Sequence, residues 1–301
     1  MSKKVEKVEA KEIQEVKTSM KNEMRTLTKQ ELDQLLDNHK LWLSSNCKKG
    51  ERADLSYADL SYADLSYVDL SSANLSRVDL SYANLSSANL SSTNLSYADL
   101  SSANLSSVNL YRAYLSSANL NSANLHDTNL NYATLSSTNL YQADLSYADL
   151  SYTNSYSANL SRANLSSTNL RYANLSSTDL SYANLSSADL SSADLSFANL
   201  SFANLSSADL SSTNLYSANL RRANLNSANL DFSAFPLWCG GLDVNIDDKI
   251  ATQLLYHLVC NVKSSPHTSE QLKSLCNMKN IIEQANKSHV ADEYGIIEEE
   301  E

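Results

Sequence analysis

From residue 53 to residue 230 the chain repeats every five residues, without insertion or deletion. Each repeat reads small residue, Asn or Asp, Leu, Ser and a variable residue; Leu fills 35 of the 36 Leu positions and Ser155 fills the last. A five-residue period would distribute the Leu side chains around an α-helix, because each step turns by about 500°. The alternation instead places the small residue and Leu on one side and Asn or Asp on the other, as in a very short strand. The pattern therefore predicts short strands joined by corners.

The repeated motif A(D/N)LSX resembles the pentapeptide-repeat family over about 180 of the 301 residues. This resemblance implies a right-handed β-helix of square cross-section, in which four successive pentads form one coil. Leu and the small residue would then point inward and fill the inside of each coil. The expected fold class is an all-β solenoid core, a right-handed quadrilateral β-helix of about nine coils, capped by α-helices at both ends.

Both flanks of the repeat predict helices. Thr28 and Glu31 form a capping-box motif, which predicts a helix at about 29–44. After the repeat, residues 235–241 carry large apolar side chains expected to seal the last coil, and Asp247 is a candidate helix cap. These flanks are similar to those of uncharacterised bacterial and viral members of the family. The expected organisation is a charged arm (disordered or a frayed helix) at 1–26, a capping helix and turn at 27–52, the β-helix at 53–230, and a C-terminal plug and helices with an acidic tail at 231–301.

Composition excludes several classes of enzyme. The chain has 4 Gly and 2 Pro, and neither occurs between Gly50 and Pro236, so glycine-rich phosphate-binding loops have no place in the repeat. The four cysteines show no CxxC spacing, which predicts free, buried thiols rather than a zinc ribbon or a disulfide framework; they are Cys47, Cys239, Cys260 and Cys276. The five histidines lack metal-ligand spacing. The sequence therefore predicts a non-enzymatic protein with no catalytic residue, cofactor or metal.

Charge limits the class of partner. The net charge is −11 and the sequence pI is about 4.9, which argues against nucleic acid or an anionic membrane as a direct partner and leaves a basic protein open. The start of the chain is charged and lacks the apolar segment of a signal peptide, and no stretch approaches the roughly 18 apolar residues of a membrane span. We expect a cytoplasmic protein.

Aspartates in the first coils suggest one candidate surface. Several pentapeptide-repeat proteins present an acidic rod to type II topoisomerases, and the resemblance raises the same function here. The candidate acidic residues place one acid on each side of the first coil and three on one side: Asp54, Asp59, Asp64, Asp69, Asp79 and Asp99. The repeat carries −7 over about 43 Å, a far lower charge density than duplex DNA, which has one charge per about 1.7 Å. The other interpretation is that Asp and Asn serve alike as short outward polar residues.

Departures from the motif suggest a second candidate surface. Written with four pentads to a row, the sequence aligns several tyrosines in neighbouring coils, with an arginine one coil earlier. The candidate partner-binding residues are Arg112, Tyr114, Tyr132, Tyr152, Tyr156 and Tyr172. Rings about 4.8 Å apart can form a stabilising ladder, or an exposed binding patch of Tyr and Arg. The main functional prediction is a structural or interaction module that binds a protein partner of unknown identity; a homodimer through the C-terminal helices is left open.

Overall fold

The computed structural model describes residues 24–231, 233–234, 244–264, 269, 273–274, 276 and 279–287. The expected arm, up to residue 23, and the plug at 235–241 lie outside the described residues. The chain divides into two compact units, Met1–Asp144 and Leu145–Glu301. The first unit contains β1 (Arg25–Thr26), α1 (Lys29–Ser44) and β2 (Ala58–Asp59), and the second contains α2 (Asp248–Ser264) and α3 (Lys279–Ala285).

Helix α1 begins at the capping box that the sequence predicts. The Thr28 side chain accepts from the N–H of Glu31, and the Glu31 carboxylate accepts from the N–H of Thr28 at 2.8 Å. The helix is followed by a tight return of the chain at Gly50, whose φ is +70°. A Cβ atom at Gly50 would lie 2.3 Å from the carbonyl oxygen of Asn38, so this close approach requires glycine.

Backbone hydrogen bonds join successive coils within each unit. In the first unit the N–H of Leu55 donates to the carbonyl of Asn74 at 2.8 Å, and the N–H of Asn74 donates back to the carbonyl of Ala53 at 3.0 Å. The corner residue Tyr57 adds a third bond, to the carbonyl of Ser76 at 3.1 Å. Each side of a coil thus contributes one bridged residue, paired in parallel with the equivalent residue of the next coil. Each pentad contributes only three residues to a side before the chain turns the corner, so the strands are shorter than ordinary strands.

Each corner is a four-residue turn. The N–H of Ala58 donates to the carbonyl of Leu55 at 3.1 Å, and the residue before it, Tyr57, has a φ of +57°. A hydrogen bond from the N–H of residue i+3 to the carbonyl of residue i, with a positive φ at the third residue, is the geometry of a type II turn. The remaining N–H of the pentad, that of Ser56, donates to the carboxylate of Asp54 at 3.0 Å. In a regular pentad within the coils, every backbone N–H therefore has an acceptor.

The inside of the coils is filled by Leu and the small residues. Apart from Leu60 and Leu230, every Leu of the repeat is at most 1% exposed. In the second unit the backbone bridges continue past residue 230, to Ala234 and Asn245, so coil-like pairing extends beyond the last regular pentad. Helix α2 is capped by Asp247, as the sequence predicts, through a 3.0 Å bond from the N–H of Ile250. Buried free thiols were expected, but Cys47 is exposed because it lies in the turn after α1.

Candidate protein-interaction surfaces

Most of the large outward side chains leave the coils at the corner residues. All 35 corner residues from Tyr57 to Ser227 have φ between 55° and 63°, and none is glycine. Because the coils stack at strand spacing, equivalent corner side chains of neighbouring coils lie about 4.8 Å apart and their rings can stack. The corners therefore form four columns of side chains along each unit.

In the first unit, four residues form what we call the Arg112 surface: Tyr111, Arg112, Tyr114 and Tyr132. The Arg112 guanidinium lies over the Tyr132 ring at 5.8 Å from its centroid and over the Tyr111 ring at 5.0 Å. The rings of Tyr111 and Tyr132 meet edge to face at 6.1 Å. Tyr114, on the adjacent side, is 54% exposed. The predicted contact of Arg112 with the first ring of the column is confirmed, and Tyr111 is an additional member.

In the second unit, four residues form what we call the Tyr172 surface: Tyr152, Tyr156, Arg171 and Tyr172. The rings of Tyr152 and Tyr172 stack at 4.9 Å with an interplanar angle of 19°, and Arg171 lies 5.6 Å from the Tyr172 ring. Arg171 also pairs with Asp189 at 3.7 Å. The stacking of Tyr152 on Tyr172 is as predicted. Tyr132 belongs to the first unit and Tyr152 to the second, so the predicted stacking of these two rings stays a prediction.

Other ring columns were missed in the sequence. In the second unit Arg162 lies over Tyr182, Tyr182 stacks on Phe202 at 4.7 Å, and Arg222 lies over Phe202. In the first unit Arg77 lies between Tyr57 and Tyr97, and Tyr62 stacks on Tyr82 at 5.0 Å; these contacts repeat the same geometry. The sequence does contain a signal for these columns, because each Arg or aromatic residue is separated from the next one in its column by four pentads, the length of one coil. Arginine above or below an aromatic ring is thus a recurrent contact of the corners.

The outward Asn and Asp side chains form directional ladders. The amide of an Asn donates to the oxygen of the Asn or Asp one coil earlier, as from Asn74 to Asp54 at 3.0 Å and from Asn84 to Asp64 at 3.1 Å. The hydroxyl and N–H of Ser66 lower the pKa of Asp64, and the amide of Asn84 adds to this effect. The pKa of Asp54 is lowered chiefly by the Ser56 hydroxyl, with burial acting against it. Both carboxyls are therefore held in the charged form.

The predicted acidic residues fall into two groups. Asp59, Asp79 and Asp99 are bridged in register on one side of the coils, and the column ends where the Asn119 amide donates to Asp99 at 3.0 Å. The other three acids lie on the three remaining sides of the first coil: Asp54, Asp64 and Asp69. The structure therefore brings together half of the predicted acidic set and separates the other half.

The described part of the chain has neither a metal-binding cluster nor a membrane-spanning helix. No group of three or more His, Cys, Asp or Glu side chains among the described residues is arranged to hold a metal ion. Within that same part of the chain, no helix is long and apolar enough to cross a membrane.

Parallel bridges between equivalent residues of successive coils, on four sides of an inside filled by Leu, define a β-helix solenoid repeat protein. The family profile described as pentapeptide repeats matches the sequence in 8 copies, over residues 53–91, 83–121, 123–154, 158–196 and 193–231. The chain belongs to the pentapeptide repeat family and has the right-handed β-helix fold of that family.

Solved structures of pentapeptide repeat proteins are similar to this chain. HetL, involved in heterocyst differentiation regulation in the cyanobacterium Nostoc sp. strain PCC 7120, is 33% identical; the match covers 68% of this chain and 92% of HetL, with a TM-score of 0.31. Trypsin-treated QnrB1, a plasmid-mediated fluoroquinolone resistance protein, is 19% identical over 62% of this chain and 92% of QnrB1, with a TM-score of 0.39. Rfr23 from the cyanobacterium Cyanothece 51142 is 36% identical over 35% of this chain and 60% of Rfr23, with a TM-score of 0.19. No curated protein sequence matches.

Proposed function

We propose that this chain is a non-enzymatic interaction module that binds a protein partner through the Arg112 surface and the Tyr172 surface. In this proposal residues 53–230 form a rigid solenoid of about nine coils that presents Ser, Asn, Asp and Tyr side chains outward. Helices at both ends cap it. The supporting observation is that half-exposed tyrosines are held in place by neighbouring rings and guanidinium groups.

Preorganised aromatic side chains favour binding. The Tyr132 ring is 48% exposed yet is held by Arg112 and Tyr111, and Tyr152 and Tyr172 hold each other by stacking. Rings fixed before association lose little side-chain entropy on binding, and Tyr and Arg are enriched among residues that carry most of the binding energy. Most of the remaining corner positions carry Ser. The Arg112 surface differs from the other ring columns by Tyr114, which stands at an outward position that Asn or Asp fills in most pentads.

Affinity capture from the native host with the tagged full-length chain tests the proposal. We expect the triple variant Tyr132→Ser, Tyr152→Ser, Tyr172→Ser to lose the captured partner, with a melting temperature only a few degrees lower, because ring pairs contribute about 0.5–1.5 kcal/mol each. The matched control, Tyr97→Ser, Tyr147→Ser, Tyr182→Ser, removes three exposed corner tyrosines outside both surfaces and should retain the partner. A triple variant that is less stable but captures the same partner would assign the rings to stabilisation alone.

A second candidate function is an acidic DNA mimic that modulates a type II topoisomerase. The column of Asp59, Asp79 and Asp99 favours it, because three carboxylates in adjacent coils concentrate negative charge on one side. Purified protein added to gyrase supercoiling and topoisomerase IV relaxation reactions should then change the product distribution. Replacing the three acids by Asn should reduce the effect without unfolding the coils, since Asn occupies the same position elsewhere. The absence of any effect at about tens of micromolar protein would exclude this function.

A further inference from the structure

The first coil has a lower edge, where no earlier coil supplies hydrogen bonds. Within the coils, both backbone groups of the bridged residue bond downward, to the earlier coil: the N–H of Asn84 donates to the carbonyl of Ala63 at 2.9 Å, and the carbonyl of Asn84 accepts from the N–H of Leu65 at 2.7 Å. The first coil occupies the lower position in each such pair. Its downward-facing groups must find other partners or remain open to an added strand.

The N-terminal segment bonds to two sides of this lower edge, and His39 of the same segment approaches a further side. On the first side, the Arg25 guanidinium donates to the carbonyl of Asp54 at 2.8 Å, and the N–H of Ala53 donates to Nδ1 of the buried His39. On the second side, β1 pairs in parallel with β2. On the fourth side, His39 is close to Asp69 and Ser71; burial lowers the pKa of His39, and these two neighbours partly oppose that effect.

The third side, residues 62–67, which we call the Asp64 edge, has no such neighbour among the described residues. Among the described residues, no acceptor pairs with the backbone N–H of Asp64, and no donor pairs with the carbonyls of Asp64 and Ser66. Ala63 is only half-buried, whereas the equivalent Ala83 one coil higher is 1% exposed. The two flanking corners carry Tyr62 and Tyr67, which are 74% and 80% exposed.

We propose that the Asp64 edge binds an extended, arginine-bearing segment of a partner protein, which adds to the first coil as a parallel strand. Strand addition at a sheet edge obtains affinity from backbone hydrogen bonds and specificity from alternate side chains. This surface shares no residue with the Arg112 and Tyr172 surfaces, so the proposal stands even if those surfaces bind nothing.

Two features of the edge favour a segment that carries a hydrogen-bond donor beneath Asp64 and an arginine beneath Tyr67. First, the Asp64 carboxylate only accepts hydrogen bonds, so a residue placed beneath it must donate, as Asn, Lys and Arg can. Second, the chain itself places arginine against corner tyrosines of adjacent coils: Arg77 lies 4.8 Å from the Tyr97 ring and Arg162 lies 5.2 Å from the Tyr182 ring. An arginine at the corner of an added strand would meet the open face of Tyr67 in the same way.

A peptide from the chain's own repeat supplies a probe with the required register. The peptide SANLSRAN has the sequence of residues 157–164. When the Asn at its third position lies beneath Asp64, its Arg lies beneath Tyr67. The control peptide SANLSSAN differs only in replacing that Arg by Ser. Both peptides are tested against the full-length chain by fluorescence anisotropy, and amide hydrogen exchange is followed residue by residue.

We expect SANLSRAN to slow exchange at the Asp64 amide and to leave the already paired Asn84 amide unchanged. SANLSSAN should bind at least fivefold more weakly, and Tyr67→Ser should remove most of that difference. Tyr147→Ser changes the same corner column in the second unit and should have no effect. Asp64→Asn retains the side-chain oxygen that caps Ser66, so it should keep the fold while weakening binding of SANLSRAN severalfold and reducing its salt dependence.

Four results would overturn the proposal. Equal affinity of the two peptides, or no change at the Asp64 amide, would show that the edge does not select an arginine-bearing strand. Protection of that amide in the protein alone would assign the edge to the chain's own N-terminal residues. Protection that increases with protein concentration would assign it to a second copy of the chain.

Discussion

Two adjacent sides of the same coils in the first unit differ at the outward position. On one side stand Asn119 and Asn139. The oxygen of Asn119 accepts from the N–H of Asn121 at 3.3 Å, and the Asn139 amide donates to Asn119 at 3.0 Å. This side has both the local cap of the following N–H and the side-chain ladder between coils.

On the other side stand Tyr114 and Thr134, and the same two interactions are missing. Among the described residues, the N–H of Ser116 has no acceptor, and the Ser116 hydroxyl bonds instead to that of Ser136 at 3.1 Å. The backbone is nevertheless regular, since the N–H of Tyr114 donates to Thr93 at 2.9 Å and that of Leu115 to Thr134 at 2.8 Å. The inward residues and the backbone bonds therefore maintain the coil, and the outward Asn adds to its stability.

The largest expected effect comes from the inward position. Leu175→Ser in the second unit should lower the free energy of unfolding by about 3–5 kcal/mol, because it removes a fully buried side chain and buries a hydroxyl. Chemical denaturation followed by circular dichroism measures the change.

The reverse change at Ser155 is the matched control. Ser155 is buried and its hydroxyl has only a 3.5 Å contact with Thr153, while its N–H and carbonyl make the regular coil bonds. Ser155→Leu should therefore stabilise the chain by about 1–3 kcal/mol. A loss of stability in this variant would mean that the interior at Thr153 cannot accept a larger side chain.

The next largest effect is expected from removing an Asn on a regular outward side, together with its hydrogen bonds. Asn104 caps the N–H of Ser106 at 3.2 Å, donates to Asn84 and accepts from Asn124. Asn104→Val should lower the free energy of unfolding by about 1–3 kcal/mol, because it leaves a partly buried N–H without an acceptor. Asn104→Asp keeps the cap and should cost less than half as much. Equal losses in the two variants would show that the ladder, and not the cap, is the stabilising element.

Repairing the irregular side should have a smaller effect of opposite sign. Tyr114→Asn supplies an acceptor for the N–H of Ser116 and an amide that can donate to Asn94, so we expect a gain of about 1 kcal/mol in thermal or chemical unfolding. Tyr114→Ala tests whether removing the ring alone produces the gain. If Ala stabilises as much as Asn, capping is not the cause.

The smallest expected effect on stability is that of replacing Asp by Asn at the outward position. The pKa of Asp64 is lowered in the folded chain, chiefly by the Ser66 hydroxyl and N–H. Its contribution to stability is therefore present above the unfolded pKa of about 4 and is lost as pH falls through the folded value. Asp64→Asn should remove this small part of the acid sensitivity while leaving stability at pH 7 nearly unchanged. The difference between the two pH profiles of unfolding is the measurement.

The sequence predicts much of this architecture because its signals are local. The Leu period determines which residues are inward, and the four-pentad length of a coil determines which corner rings meet. The turn geometry could not be predicted in this way, since Ser, Tyr and Arg have no preference for positive φ and the usual Gly signal is absent. Tyr111 and Arg171 were missed because they precede the corner by one residue, and only the structure shows them reaching its rings.

The corner has a consequence for how such a chain can change over evolutionary time. Its 35 occupants in the left-handed region are Ser, Tyr, Arg, Phe, Asp and Gln, without a β-branched residue among them. Hydroxyl, aromatic, cationic and anionic side chains all occur at this position, whereas β-branched ones do not. The steric demand of a positive φ, and not the polarity of the side chain, therefore determines which residues occur there. Substitutions at single corners can therefore change the surface of the chain, and with it the partners that the surface could bind. The inward residues of the coils need not change.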